Sequence, residues 1–298
     1  MGLVVGSAII ATFVGCLLKS GMFWNSMKFM FAPLEDVSGN ALRELCYNHG
    51  ADLTFTEMTR LSGLVRGNKS TLRKIELKNK VPTQLQLAAH KENDLKKFLE
   101  NYEPSLGFSG INFNLGCPSP HLIKQGLGCA LIKRTAKVTR MVEIVHSFGH
   151  VCSVKLRLGL HQFEKDKKVY LRCIKEVPAD FFVVHARHGN EHYESPADTA
   201  AYAECVATGK EIIANGDITT REQVAELHEI GVKGVMIGRA AVRNPGIFNL
   251  LKKNVQTPFS QLEQEFKELS EKYNEPEKYR TNVLTRLGKT SHFRTHSG

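Results

Sequence analysis

Asparagine, cysteine, lysine, arginine and histidine recur where apolar runs of this chain give out. Asn112, Asn114 and Cys117 close one such run, Lys155 and Arg157 the next, and His185 and Arg187 a third. Two more end in Asn215-Gly216-Asp217 and Gly238-Arg239. A single His or Lys near the end of a strand is usually a satisfied structural residue. Inward polar side chains cost free energy unless they are paired, so many of them converging from consecutive strand ends favour a site over packing. The glycines in the last two motifs let backbone N–H groups approach phosphate oxygens, and Arg239 can add a charge-assisted bond. Lys155 and His185 would then face the body of a phosphate-bearing cofactor. The histidines are dispersed and the cysteines unpaired, so no metal-ligand set stands out.

Eight short apolar or β-branched runs must position these groups: 29–34, 52–58, 83–87, 110–116, 152–159, 181–187, 211–217 and 234–239. Their starts are 23, 31, 27, 42, 29, 30 and 23 residues apart, about the length of one βα unit. Eight strands alternating with helices predict an α/β fold, a (β/α)8 TIM barrel, ahead of an open doubly wound sheet. In such a barrel the site lies at the C-terminal ends of the strands. Residues 219–231 read as an amphipathic helix with a Thr219–Glu222 capping box and Gly231 as its end. After a break at Pro258, residues 260–274 read as another, with a Ser260–Glu263 box and a Leu262, Phe266, Leu269, Tyr273 stripe.

The 298 residues carry 40 Lys+Arg against 30 Asp+Glu, a formal net charge of +10. Residues 66–80 hold six basic residues and one Glu, and residues 278–298 hold five basic residues and no acid. Each run nets +5, so the two equal the charge of the whole chain. That concentration favours a polyanionic partner, nucleic acid or membrane lipid. Composition excludes general disorder. Seven cysteines without a CxxC pair suit a reducing cytosol, and the expected location is cytoplasmic. Residues 1–18 carry no charge, lack the basic start of a signal peptide and are marginal in length for a membrane span. Three readings stand: an upstream extension before a biological start at Met27, a membrane anchor, or a targeting segment. The expected organisation is an apolar extension over 1–26, a barrel over 27–255 and a short helical, basic segment over 256–298.

Certain motifs carry a resemblance. Ala32-Pro33-Leu34-Glu35-Asp36-Val37, Thr56-Glu57-Met58, Gln86-Leu87 and residues 114–131 (NLGCPSPHLIKQGLGCAL) come first. Val154-Lys155-Leu156-Arg157, Val184-His185-Ala186-Arg187, Asn215-Gly216-Asp217 and Ile237-Gly238-Arg239 follow in order. Over residues 29–250 the chain resembles the tRNA-dihydrouridine synthases, flavin-dependent enzymes that reduce uridine in tRNA. The Asn-x-Gly-Cys-Pro element followed by the Gly-x-Gly loop is the specific part.

The resemblance implies reduced FMN delivering hydride from N5 to C6 of uracil, with NADPH or NADH as the reductant. Cys117 matches the general acid that protonates C5, a role a neutral thiol can fill near pH 7. A buried inert thiol is the commoner fate of free Cys, but Cys117 stands immediately before Pro118 after a strand end. Cys129 reads as packing. By the same carry-over, Gln86, Lys155 and His185 bind the isoalloxazine, with the Pro33 backbone near the ring. Asn215, Gly216, Asp217, Gly238 and Arg239 hold the ribityl chain and phosphate, and Asn114 and Arg187 lie near uracil or flavin. The target base must be turned out of a folded tRNA, whose phosphates would meet Lys69, Arg73 and Lys74. No protein partner is implied. Relative to the family, the C-terminal helical region is short, and His188 and Thr199 replace a small hydroxyl and an aromatic residue. Two alternatives stay open: an FMN barrel acting on a free pyrimidine, and a tRNA-binding protein that has lost catalysis.

Overall fold

The computed structural model describes Trp24, 26–101 and 107–289; the apolar segment 1–18 and the last nine residues of the basic tail lie outside the described residues. Nine strands and fourteen helices of the described residues alternate in chain order. The first elements are β1 (Lys28–Phe31), α1 (Asn40–Asn48), β2 (Thr54–Phe55), β3 (Thr59–Arg60), α2 (Leu61–Val65) and α3 (Lys69–Lys74). Then come β4 (Thr83–Ala88), α4 (Glu92–Glu100), β5 (Gly110–Leu115), α5 (Pro120–Lys124) and α6 (Thr135–Ser147). A 3-10 turn, Gly128–Leu131, precedes α6. The second half holds β6 (Cys152–Arg157), α7 (Gln162–Asp166), α8 (Val169–Glu176), β7 (Phe181–His185) and α9 (Ala200–Val206). It closes with β8 (Ile212–Asn215), α10 (Arg221–Ile230), β9 (Gly234–Ile237), α11 (Arg239–Arg243), α12 (Ile247–Lys253), α13 (Phe259–Lys272) and α14 (Glu277–Leu284).

All strand pairs are parallel, in the order β1-β9-β8-β7-β6-β5-β4-β2, with β3 also on β4. A bridge between Met30 and Leu53 brings the two ends together, so the sheet is a nearly closed (β/α)8 barrel. Of the expected second strand, 52–58, only Thr54–Phe55 is ladder; a further short strand, Thr59–Arg60, lies past its end, and Glu57 between the two takes bonds from three directions.

Alternation sets the two faces of every strand. Phe29, Leu85, Ile111, Phe113, Val154, Val184 and Val235 point outward into the apolar layer under the helices. Met30, Phe55, Phe181, Val183, Ile213 and Met236 point inward and plug the barrel. Along β4, β5 and β6 the inward positions are polar instead: Gln84, Gln86, Asn112, Asn114, Ser153 and Lys155.

Two expected helix starts move. α10 is capped by Thr220, which accepts from Gln223 N at 3.3 Å, while the Gln223 side chain accepts from Thr220 N at 3.0 Å. Of two adjacent threonines the second makes the turn, so the box is Thr220–Gln223 rather than Thr219–Glu222; Gly231 does end the helix, at φ 98°. α13 follows Pro258 with no side-chain cap, and Glu263 instead pairs with Lys267 four residues on. Its stripe packs as expected: Leu262, Phe266 and Tyr273 are buried, and Leu269 lies against them. α13 rests on α1 and leads into α14, which turns back toward the barrel mouth. Trp24 is buried against Phe29, with the Arg221 guanidinium 4.1 Å from its ring. Among the described residues no helix is long and apolar enough to cross a membrane.

Candidate active site

At the C-terminal ends of the strands lies a cavity of about 470 Å³. Pro33, Gln86, Asn114, Cys117, Lys155, His185, Asn215, Gly216, Asp217, Gly238 and Arg239 all line it. Strand register explains the convergence. Asn114 lies beside Lys155, Arg157 beside His185, and His185 beside Asn215, each pair adjacent across a parallel ladder.

Cys117 ends a chain of buried amides. Ser153 Oγ donates to Gln84 Oε1 at 2.5 Å, and Asn112 Nδ2 donates to Ser153 Oγ at 2.7 Å. Gln86 Nε2 donates to Asn112 Oδ1 at 2.7 Å, and Asn114 Nδ2 donates to Gln86 Oε1 at 2.9 Å. Asn114 Oδ1 then accepts from the backbone N–H groups of Gly116 (3.1 Å) and Cys117 (2.9 Å). Fully paired, such a network fixes a single geometry; the loop bearing the thiol is thereby tied to the barrel interior. The loop is pinned from its far side as well, since Cys129 N donates to Cys117 O at 3.0 Å. Gly128 has φ +58°, and a Cβ there would collide with Cys117 O, so the Gly-x-Gly element is a steric requirement. Cys129 itself is buried, as expected of a packing residue, and burial pushes its thiol up to about 12. Burial also raises the Cys117 thiol above its ordinary value, opposed more weakly by a backbone bond at Ser119 and by the charges of Arg157 and Lys155. Cys117 is therefore a neutral thiol at pH 7.

The opposite wall is cationic. Lys155 Nζ donates to Asn215 Oδ1 at 2.9 Å, and Asn215 Nδ2 donates to Met236 O at 2.8 Å. Burial, then the neighbouring Arg157, pushes the Lys155 ammonium down to about 7. Burial, with Arg157, Lys155 and Arg187 nearby, holds His185 well below its ordinary value, so it is a neutral imidazole. Arg187 Nη1, a donor only, lies 3.3 Å from His185 Nε2, which leaves the ring proton on Nδ1. Arg239 Nη2 donates to Asp217 Oδ1 at 2.8 Å and stacks 3.9 Å from the Tyr193 ring. Arg157 donates to His188 O at 2.8 Å and to Tyr193 Oη at 3.3 Å.

The remaining expected site residues are placed as follows in the fold. Arg187 is fully buried, behind His185 rather than in the cavity wall, with its guanidinium occupied by Ser195 O, Tyr193 O and Asp217. Asp217 lines the cavity, and its carboxylate is the counter-ion of Arg187 and Arg239. Lys69, Arg73 and Lys74 lie on α3, outside the cavity; Lys69 and Arg73 are exposed, while Lys74 donates to Glu57 at 2.9 Å. Sequence reasoning missed Tyr193 and Arg243, which complete the wall. Tyr193 comes from an irregular loop with no periodicity to mark it. Arg243 is on the cavity side of α11, four residues after Arg239, a one-turn spacing that could have flagged it.

The donor set fits FMN. Arg239, Arg243 and the backbone at Gly216 and Gly238 could hold its phosphate, and Lys155, Gln86 and the neutral His185 could meet its ring system. The volume is of the order of cofactor sites in general. The chain matches the dihydrouridine synthase family over residues 30–294. It belongs to that family.

Relatives match over about three quarters of this chain. A probable tRNA-dihydrouridine synthase of Helicobacter pylori is 30% identical over 246 residues, covering 78% of this chain and 73% of that protein. The tRNA-dihydrouridine synthase B of Xanthomonas campestris is 28% identical, covering 78% and 70%. A human protein named tRNA-dihydrouridine(47) synthase [NAD(P)(+)]-like is 28% identical over 76% of this chain but only 35% of its own length. Among solved structures, an NCR variant from Zymomonas mobilis superposes with TM-score 0.51 at 13% identity, covering 79% of this chain and 90% of that one. That likeness shows the barrel fold alone.

Proposed function

We propose that the protein is a tRNA-dihydrouridine synthase: it reduces the C5=C6 bond of a uridine in tRNA, with FMN as cofactor and NADPH or NADH as electron source. The observation that carries the reading is the neutral Cys117 thiol, held by the amide chain at the mouth of a cavity whose far wall is cationic. FMN, when bound and reduced, supplies the hydride that C6 of the pyrimidine accepts.

The chain's own residues do the rest. Arg239 and Arg243 hold the phosphate end, with Asp217 fixing the direction of Arg239. Lys155, Gln86 and His185 bind the ring system, and Pro33 and Met58 supply apolar walls. Asn114 fixes the Cys117 loop while its amide stays at the mouth. Cys117 gives its proton to C5, and the resulting thiolate is recharged from solvent through the open mouth. A neutral thiol is the correct protonation state for a general acid, and its raised pKa keeps it protonated across the physiological range. The base must leave its stack to enter the cavity, which makes an RNA loop a better substrate than a paired stem.

Incubating purified protein with NADPH and either unmodified tRNA or free uridine tests this reading. Dihydrouridine in the tRNA digest, with none formed from the free nucleoside, is the expected result. Turnover of free pyrimidine without reduction of tRNA would replace it with a small-molecule dehydrogenase.

A further inference from the structure

Outside the cavity wall, a buried carboxylate gathers charged and polar partners without serving the chemistry above. Glu57, 2% exposed, lies between β2 and β3 and accepts from three separate parts of the chain. Lys74 Nζ on α3 donates to it at 2.9 Å, Asp36 N in the β1–α1 loop at 3.2 Å, and the Tyr279 hydroxyl on α14 completes the set. Asp36 repeats the pattern on its other side, pairing with Lys278 at 2.6 Å and accepting from Asn282 Nδ2 at its carbonyl at 3.1 Å. A second link joins the same regions, since Lys78 Nζ donates to Tyr273 O at 2.8 Å.

These bonds bring together the two basic runs, which are some 200 residues apart in sequence. They also fix where the runs lie. Glu35 and Met58, the neighbours of Asp36 and Glu57, are cavity wall. At the other end of the C-terminal segment, Gly288 N donates to the carbonyl of Arg243, another wall residue, at 2.9 Å. The segment from Lys278 to Lys289 therefore follows the rim of the mouth, with α3 beside its first turn. Lys69, Arg73, Lys278 and Lys289 are exposed there.

Resting on the proposed activity toward tRNA, we infer that Glu57 joins α3 and α14 into one RNA-docking surface beside the mouth. It acts as a positioning residue and not in catalysis. The chemistry recognised is the phosphate backbone flanking the base that enters the cavity. A buried carboxylate suits this role because it neutralises Lys74 and orients Tyr279 while leaving the outward cations to the RNA. It also spaces the two runs, so that both meet the backbone in one docking event.

The test is tRNA affinity as a function of salt. Each phosphate contact contributes about 0.7–0.9 to the slope of log K against log salt. Arg73→Ala and Lys289→Ala are each expected to lower the slope by about that amount. An unchanged slope in either one means that only one run touches RNA and overturns the composite surface. Glu57→Gln is expected to keep bound flavin, weaken tRNA binding roughly tenfold at moderate salt and flatten the slope by one to two contacts, about 0.7–1.8. Tyr279→Phe, which drops a single hydroxyl, does the same to a smaller extent and serves if Glu57→Gln does not fold. Wild-type affinity and slope in Tyr279→Phe and in folded Glu57→Gln would refute the positioning role. Failure of the wild-type protein to bind tRNA, or tighter binding to anionic vesicles than to tRNA, would instead remove the functional reading beneath it.

Discussion

Asn112→Leu removes one link from the amide chain that ends at the backbone of Cys117. Asn112 is fully buried; it accepts from Gln86 Nε2 and donates to Ser153 Oγ, both at 2.7 Å. Leucine keeps the branching and heavy-atom count of asparagine, so the substitution opens no cavity and the main loss is polar. Ser153 keeps its bond to Gln84, whereas Gln86 Nε2 is left buried with no acceptor. An orphaned buried donor costs about 1–3 kcal/mol and the lost bond to Ser153 about 1 more, so stability should fall by about 2–4 kcal/mol. For a chain of this size that lowers Tm by roughly 3–6 °C. The functional consequence follows the chain outward. A released Gln86 no longer fixes Asn114, and the two N–H groups at Gly116 and Cys117 lose a fixed acceptor. The thiol then samples more positions, so kcat should fall while KM for tRNA, set by docking outside the cavity, stays near wild type. Thermal melts and steady-state reduction of tRNA measure both. A Tm within about 2 °C of wild type together with an unchanged kcat would show that the amide chain does not hold the loop.

Other expectations follow from the same geometry. Gly128→Ala should displace the Cys117 loop, because that position has φ +58° and no room for a Cβ; reduced kcat with normal flavin content is expected, and wild-type kcat would argue against it. Burial raises the Cys117 thiol above its ordinary value, so the alkaline limb of the pH–rate profile should lie at higher pH than an unperturbed thiol would give; a limb at or below that of a free thiol would argue against the assignment. Lys155 titrates at about 7 in the folded protein against 10.5 when unperturbed. Between those values the unfolded chain binds more protons, so stability contributed by this group is full above 10.5 and is lost as pH falls toward 7. Denaturation at pH 7 and pH 9 should show that gain in wild type, and Lys155→Met should lack it.

Much of the fold could be read from spacing, because parallel strands buried on both faces give short apolar runs at the interval of a βα unit. Strand two was the exception: DLTFTEM reads as continuous, yet only Thr54–Phe55 is ladder, and Glu57 answers Lys74 and Tyr279, partners that local sequence cannot reveal. The inward residues of the strands were legible for the same reason as the strands themselves, since period two places Asn114, Lys155 and His185 on one face. Arg187 shares the His185 face by spacing, but it lies past the end of β7, where the chain turns and buries it. Tyr193 could not be found, because its position depends on an irregular loop folding over three arginines. The meeting of the two basic runs was also hidden, being a tertiary contact between distant segments.

The central claim is that Cys117 delivers the proton to C5 from a site that otherwise stays intact. Single-turnover reduction of unmodified tRNA by prereduced wild-type and Cys117→Ala proteins, with dihydrouridine counted by mass spectrometry, tests it most directly. The expected result is unchanged flavin content and a rate of dihydrouridine formation lower by about 10²–10⁴-fold in the variant. Equal rates in the two proteins would contradict the claim.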